Sequence, residues 1–336
     1  MKKPDAIMLI RNLGEFNLIK RISTDLVSHR HPVIVGIGDD AAVLDPPMKR
    51  LQLVTTDMLV ENVHFRLDIA KPFQIGWKSL AVNISDIAAM GGEPTYAFVS
   101  IGLTRETTVE FVDELYSGIK EAAEAYSVDI VGGDTVSSPE VIINISLLGE
   151  VEAENLVLRS GAKAGDAIAV TGDLGGSAAG LALLKRGVSM DGIEKHLMPV
   201  PRVCEGRLLA KSGCVTSMID ISDGLASEVH HICEQSKTGA RLYMKDVPLS
   251  DNVFRIAELT GGNPYDFALY GGEDYELLFT CQPDKLPILA EDVLKNCGTP
   301  LTVVGQITGM PDSISIEDAY GRIVPLEPRG YDHFTP

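Results

Sequence analysis

Positive charge, aromatic residues and long apolar runs are all scarce in this chain. Lysine and arginine number 29 against 47 aspartates and glutamates, a formal net charge of −18. That balance excludes nucleic acid as a partner, because a duplex-binding surface needs an excess of cations. No stretch approaches the roughly 18 uncharged apolar residues of a membrane span, so no membrane partner is expected. Lys2 and Lys3 precede an apolar run at 6–10, but Arg11 ends it too early for the core of a signal peptide. A cytoplasmic protein is expected. The five cysteines (Cys204, Cys214, Cys233, Cys281, Cys297) form no CxxC pair and leave an odd count. Such spacing fits neither a zinc site nor a secreted disulfide framework. The run His230-His231-Ile232-Cys233 has metal-type residues, yet neighbouring positions on a helix point about 100° apart. There is no GxxxxGK[ST] sequence, which excludes an ordinary P-loop.

What is present is a chain of 336 residues with 45% hydrophobic and 23% charged residues, enough for full cores and about twice the usual domain length. Disorder is excluded by that apolar content. The acidity raises a difficulty for any phosphate ligand, which only clustered carboxylates holding cations would remove.

Phe16, Ile19, Ile22 and Leu26 recur at helical spacing and predict a first amphipathic helix. Short β-type runs follow at 33–37, leading into Gly36-Ile37-Gly38-Asp39-Asp40, and at 51–54, leading into Thr55-Thr56-Asp57. Residues 72–90 read as a helix closed by Gly91-Gly92, 97–103 as a strand and 106–126 as a long helix. A strand at 128–131 is expected to end in Gly132-Gly133-Asp134-Thr135, and another to span 141–151. The polar, Gly-rich segment 159–166 marks the junction of two domains, 1–155 and 156–336. Beyond it, strands near 167–170, 216–219, 275–280 and 301–304 alternate with helical stretches, so the fold class is mixed α/β. Ile84-Ser85-Asp86 and Ile221-Ser222-Asp223 form a faint internal echo.

The aspartates are placed with regularity. Asp39, Asp40, Asp57, Asp134, Asp220 and Asp223 each follow a short apolar strand, and Asp86 stands among small and apolar neighbours. Each alone is an ordinary turn residue or helix cap. Together they suggest carboxylates converging on one sheet edge, where oxygen-only ligands suit Mg²⁺ or a similar hard cation. Gly36-Ile37-Gly38-Asp39-Asp40-Ala41 matches a dinucleotide fingerprint. Two acids would then face a pyrophosphate, however, and Pro46-Pro47 denies the following helix. Gly172-Asp173-Leu174-Gly175-Gly176-Ser177 opens a helix after a strand. It reads either as an anion-holding turn or, with more weight, as a plain tight turn. Metal-held carboxylates at a nucleotide point to phosphoryl transfer, which depends on positioning and charge neutralisation. An acceptor that is itself a phosphate is already an oxyanion near neutral pH, so no side-chain base is needed.

These motifs, in this order, resemble the thiamine-monophosphate kinase family: Gly36 to Ala42, Thr55-Thr56-Asp57, Asn83 to Gly91 and Gly132-Gly133-Asp134-Thr135. Arg159-Ser160-Gly161-Ala162, Asp220 to Leu225, Gly271 to Leu277 and the tail Gly330-Tyr331-Asp332-His333-Phe334 complete the set. The resemblance implies the two-domain fold shared with aminoimidazole ribonucleotide synthetase and selenophosphate synthetase, with N-terminal sheets pairing in a homodimer. It implies transfer of the γ-phosphate of ATP to thiamine monophosphate. By the same resemblance, Asp40, Thr55, Thr56, Asp57, Asp86, Asp134, Asp220 and Asp223 would hold several Mg²⁺ ions. Tyr116, Gly133, Asp134, Arg159 and Ser222 would contact ATP, and His64, Glu273 and Tyr331 the thiamine side. An acid and an aromatic face suit the thiazolium cation, and an arginine fork suits a phosphate. Tyr116 could equally pack in a core and His64 lie on the surface. Trp77 reads as a helix-packing residue and Arg202 as a salt-bridge partner.

Selenophosphate synthetase would need a reactive cysteine near the N-terminus, whereas the first here is Cys204. The hydrogenase-maturation relative ends in a cysteine, whereas this sequence ends in His333-Phe334-Thr335-Pro336. An aminoimidazole ribonucleotide synthetase-like enzyme, a non-catalytic Mg-nucleotide sensor and a metal-dependent phosphatase remain as alternatives.

Overall fold

Period-two burial sets the first sheet. In the strand Ile142–Val151 every second side chain is buried, and Leu51–Val60 keeps the same rhythm through Leu51, Leu53, Thr55 and Leu59. The computed structural model describes residues 33–35, 42–44, 50–188, 190–311 and 313–330. The expected first helix, the segment 36–41 with Asp39 and Asp40, and the tail with Tyr331 lie outside them.

Strands β1 (Val33–Val35), β2 (Ala42–Leu44), β3 (Leu51–Val60), β4 (Glu93–Leu103), β5 (Asp129–Ser137) and β6 (Ile142–Val151) form one sheet, ordered β1-β2-β3-β6-β4-β5. Only β4 and β5 run parallel. Helices α1 (Pro72–Ala89) and α2 (Val109–Ala125) cover its inner face. They touch backbone to backbone, because a Cβ on Gly76 would strike the carbonyl of Leu115 and one on Gly118 that of Phe73. Pro72 opens α1 where no N–H is needed, and Gln74 Oε1 accepts the Lys71 N–H at 2.9 Å.

The second sheet holds β7 (Ala167–Thr171), β8 (Val215–Asp220), β9 (Gly239–Tyr243), β10 (Leu277–Cys281), β11 (Leu301–Thr308), β12 (Ile314–Glu317) and β13 (Ile323–Pro325). Their order is β13-β12-β9-β11-β7-β10-β8, parallel only between β9 and β12. Around it lie α3 (Gly176–Leu184), α4 (Glu194–Leu197), α5 (Val203–Lys211), α6 (Leu225–Ser236), α7 (Asp251–Thr260), α8 (Pro264–Tyr270) and α9 (Leu286–Cys297). Every residue of β7 and β10 is buried, which explains their unbroken apolar runs.

Three departures from the sequence reading matter for the site. β3 does not stop before Thr55-Thr56-Asp57, because it pairs with β6 over its whole length. β5 likewise runs on through Gly132-Gly133-Asp134-Thr135, because Gly133 lacks the Cβ that would strike the Val99 carbonyl of β4. Cys204 and Cys297 form a disulfide, with Cα atoms 6.1 Å apart, where none was expected. The packing of α5 against α9 brings them together.

Helix α5 also pins the halves together. Arg207 binds the Gly91 carbonyl at 3.0 Å, Glu152 at 2.8 Å and Glu93 at 2.8 Å. Trp77 donates to the Pro199 carbonyl at 2.8 Å and meets Tyr126 edge to face. Its packing role is as expected.

Candidate active site

Pairing register decides which of the motif residues meet. Along β3, Thr55 lies on the inner face, buried beside Leu53, and Asp57 shares its parity. Thr55 Oγ1 donates to Asp86 Oδ2 of α1 at 2.5 Å. One residue earlier on that helix, Ser85 Oγ donates to Asp220 Oδ2 at 2.6 Å, across 135 residues of sequence. Asp220 is the last residue of β8 and only 2% exposed. The turn beyond it is laced to the segment before β10. Ile221 N–H binds the Glu276 carbonyl at 2.8 Å, Tyr275 N–H the Ile221 carbonyl at 2.9 Å, and Glu273 N–H the Ser222 carbonyl at 2.7 Å. Gly272 permits this, since a Cβ there would strike the Ser222 carbonyl.

Tyr275 stands at the middle of the acidic row. Burial first, and then the charges of Glu273, Asp57, Asp220 and Asp223, push its phenol well above the ordinary value. Its ring packs in the core of the first domain although its backbone belongs to the second. Glu228, in the first turn of α6 and 2% exposed, accepts the Asp223 N–H at 2.9 Å. Burial, followed by the charges of Asp223 and Asp220, drives its carboxyl well above the ordinary value, while Arg159 acts in the opposite sense. So many acids in one place demand cations. Among the described residues no three His, Cys, Asp or Glu side chains form a ready-made metal cage.

The other expected residues are distributed as follows. Thr56 lies on the outer face of the first sheet, where it hydrogen-bonds the Ile145 carbonyl at 3.2 Å and Ser146 Oγ at 3.1 Å. Its hydroxyl therefore does not join Thr55, Asp57 and Asp86. Asp134 is on that outer face too, in an open cavity of about 340 Å³ with Met58, Ser100 and Asn144. Tyr116 is half-buried against the first core, the packing alternative weighed for it. Arg159 is half-buried with Nε sequestered from solvent, and Ser236 fixes its loop by accepting the N–H groups of Gly161 and Ala162, each at 3.1 Å. His64 closes the turn after β3, Nδ1 accepting the Val60 N–H at 3.0 Å, so its proton resides on Nε2.

Glu273 does not stand alone. Lys78 Nζ, from α1, lies 2.7 Å from Oε1, and His196 Nδ1 lies 3.1 Å from Oε2. Burial alone would raise the Glu273 carboxyl, but Lys78 and then His196 outweigh it and hold it at about 2. The His196 ring is pushed down by burial and then by Lys78. A carboxylate lowered from its ordinary 4.5 contributes stability above that pH and loses it as pH falls toward 2. Glu273→Gln is therefore expected to flatten the fall in melting temperature between about pH 4.5 and pH 2, as measured by calorimetry against the parent. An unchanged slope would remove Glu273 as its source.

The amides of the Gly172 to Ser177 turn are taken by a carboxyl group of the chain itself. Gly175 N–H and Ser177 N–H donate to Asp274 at 2.6 and 3.1 Å. Burial pushes that carboxyl up to about 7 despite the two amides. Arg202 forks onto Glu276 at 2.8 and 2.6 Å, as its reading as a salt-bridge partner anticipated. Lys78, His196 and Glu228 went unnoticed in the sequence, and Tyr275 entered only as part of the Gly271 to Leu277 motif, without a role. A lysine inside the apolar run 75–89 was the one available signal, since such a group must be paired when buried.

Comparison with known proteins places the chain in a family. Residues 38–151 match the N-terminal domain, and 163–316 the C-terminal domain, of AIR synthase related proteins. Thiamine-monophosphate kinase of Bacillus subtilis (strain 168) is 36% identical over 333 residues, spanning 96% of this chain and 100% of that one. The Escherichia coli (strain K12) enzyme of the same name is 38% identical over 331 residues, 96% and 98% of the two chains. The solved structure of AaThiL complexed with AMPPCP and TMP superposes with a TM-score of 0.85 at 34% identity, covering 97% of this chain and 99% of that one. HypE in complex with ATP, at 18% identity and a TM-score of 0.70 over 92% and 93% of the chains, shares the fold. With both AIR synthase-type domains in place and near-complete alignment to these kinases, the chain belongs to the thiamine-monophosphate kinase family.

Proposed function

We propose that this protein transfers the γ-phosphoryl group of ATP to thiamine monophosphate, giving thiamine diphosphate and ADP. The observation that carries this reading is the acidic row across the domain seam, Asp57, Asp86, Asp220 and Asp223, in a chain that aligns end to end with named kinases.

The residues present fit Mg²⁺. Their donors are all hard oxygens, and the charges of Asp57, Asp220 and Asp223 crowd upon Tyr275 and Glu228, a repulsion that a hard cation would relieve. Thr55, Asp57, Asp86, Asp220 and Asp223 would hold several such ions, with Asp40, outside the described residues, alongside. Bound there, such ions would supply charge neutralisation for the transferring phosphoryl group. Thr55 and Ser85 orient Asp86 and Asp220 through hydrogen bonds of 2.5 and 2.6 Å, and Glu228 fixes the Asp223 turn by accepting its N–H. Arg159 and Ser222 lie on the ATP side of this row. Lys78 and His196 hold Glu273 for the thiamine side, with His64 and Tyr331 as its further members. The acceptor phosphate needs no deprotonating side chain.

On the outer face of the first sheet, Met58, Tyr96, Phe98, Val131 and Val136 are between 41% and 54% exposed. Apolar side chains in such number suit a homodimer that pairs these faces, with Asp134, Gly133 and Thr56 beside the seam. The domains then divide at 155/156, between β6 and β7. No helix among the described residues is long and apolar enough to cross a membrane. A cytoplasmic site of action belongs to the same proposal and rests on the kinship with the bacterial kinases.

The test is chromatography of products after mixing the protein with ATP, Mg²⁺ and thiamine monophosphate, with thiamine as control acceptor. Thiamine diphosphate and ADP are expected one for one, only with the monophosphate and only with metal. ADP formed with formylglycinamidine ribonucleotide instead would overturn the assignment.

A further inference from the structure

We propose that Cys204 and Cys297 form a reversible thiol–disulfide site, closed by low-molecular-mass disulfides and opened by low-molecular-mass thiols, that sets how firmly α5 is held to the second domain.

The two residues differ from the other cysteines in pairing, and Cys204 also in exposure. Cys204 is exposed on the first turn of α5, and Cys297 is half-buried at the end of α9. Their Cα separation of 6.1 Å lies within the range that a disulfide spans without backbone movement. Cys233 and Cys281 are buried, and Cys214 is half-buried with Sγ 3.3 Å from the Ser212 carbonyl. Of the two bridged residues Cys204 is the more exposed, so an attacking thiolate reaches it more readily than Cys297.

The site sits beside the contacts that place α5. Thr299, two residues past Cys297, donates to the buried Glu205 at 2.5 Å, one residue past Cys204. The covalent bond and this hydrogen bond join the same two segments. Arg202, two residues before Cys204, forks onto Glu276, while Arg207 reaches Glu93, Glu152 and the Gly91 carbonyl. An open cavity of about 450 Å³ is walled by Arg202, Lys195, Thr299 and Pro300, residues of the same two segments.

The exchange balances without a metal or cofactor. A thiolate attacks Cys204 Sγ, the Cys204–Cys297 bond breaks, and its electron pair leaves on Cys297 Sγ, which takes a proton from water. A second thiolate attacks the outer sulfur of the mixed disulfide. It releases Cys204 as thiolate and carries away the oxidised small-molecule disulfide, so two thiols supply the two electrons. The reverse sequence closes the site.

The test uses the full chain and glutathione, with no activity readout, so its failure is separable from failure of the kinase reading. After treatment with oxidised glutathione, peptide mass spectrometry without reductant is expected to find Cys204 linked to Cys297, with the other three cysteines free. Cys297→Ser, which removes the resolving thiol, is expected to carry one glutathione on Cys204. The oxidised parent should melt on the order of 5 °C above its reduced form. In Cys204→Ser that difference should vanish. Five free thiols after oxidation, glutathione carried on Cys214 in place of Cys204, or equal melting temperatures for the two forms of the parent would each overturn the proposal. The parent comparison stands even if a serine variant folds poorly.

Discussion

Asp57→Asn or Asp86→Asn is expected to lower turnover by about 10²- to 10³-fold, the scale on which loss of one charge-stabilising group acts. Asparagine preserves the volume, and at position 86 its carbonyl can still accept the 2.5 Å hydrogen bond from Thr55. What disappears is one negative charge from a row already crowded with Asp220, Asp223 and Glu228, so stability should hold or rise slightly. The Mg²⁺ concentration for half-maximal rate should rise in both variants, with a larger change in kcat than in the KM for thiamine monophosphate. Steady-state kinetics over a Mg²⁺ series, with a thermal melt on the same samples, separates this from unfolding. Near-normal rates in both variants would end the shared-metal account.

Arg202→Met is expected to have the largest effect on stability. Glu276 is 2% exposed, and two of its hydrogen bonds come from the Arg202 guanidinium, with a third from Thr171 at 2.7 Å. Removing the arginine strands a carboxylate in the interior, a change that costs about 3–5 kcal/mol. Replacing both partners, as Arg202→Met with Glu276→Gln, removes the stranded Glu276 charge and should recover part of that loss, with Glu205, 3.5 Å from Arg202 in the parent, left to its hydrogen bond from Thr299. Urea denaturation of the parent, both single variants and the double variant closes the cycle. A single variant as stable as the parent would mean that water reaches Glu276.

The second-domain half of the site was legible because Asp220 and Asp223 flank a turn at a strand end, where short-range sequence signals are strongest. Asp57 and Asp134 were harder. Both were expected beyond the ends of strands, yet both lie within strands, because cross-strand pairing carries β3 and β5 further than their apolar runs. Parity alone could have separated Thr56 from Thr55 and Asp57, since a strand turns successive side chains to opposite faces. Glu228 is a different case. Its side chain reads as an ordinary charge until distant elements close over it, whereas Lys78 at least stood inside an apolar run. The Cys204–Cys297 pairing, across 93 residues, was equally beyond local pattern.

The position of Tyr275 bears on how the chain comes into being. Its ring completes a core whose other buried members all precede residue 152. On the ribosome the first domain therefore emerges, and waits, with a gap in its interior until more than a hundred further residues have been made. Only when the segment before β10 arrives does that gap fill, and the same event carries Glu273 and the Asp220–Asp223 turn to the seam. Completion of the early domain and assembly of the acidic row are thus one step in biogenesis. A nascent chain halted before Tyr275 would have neither.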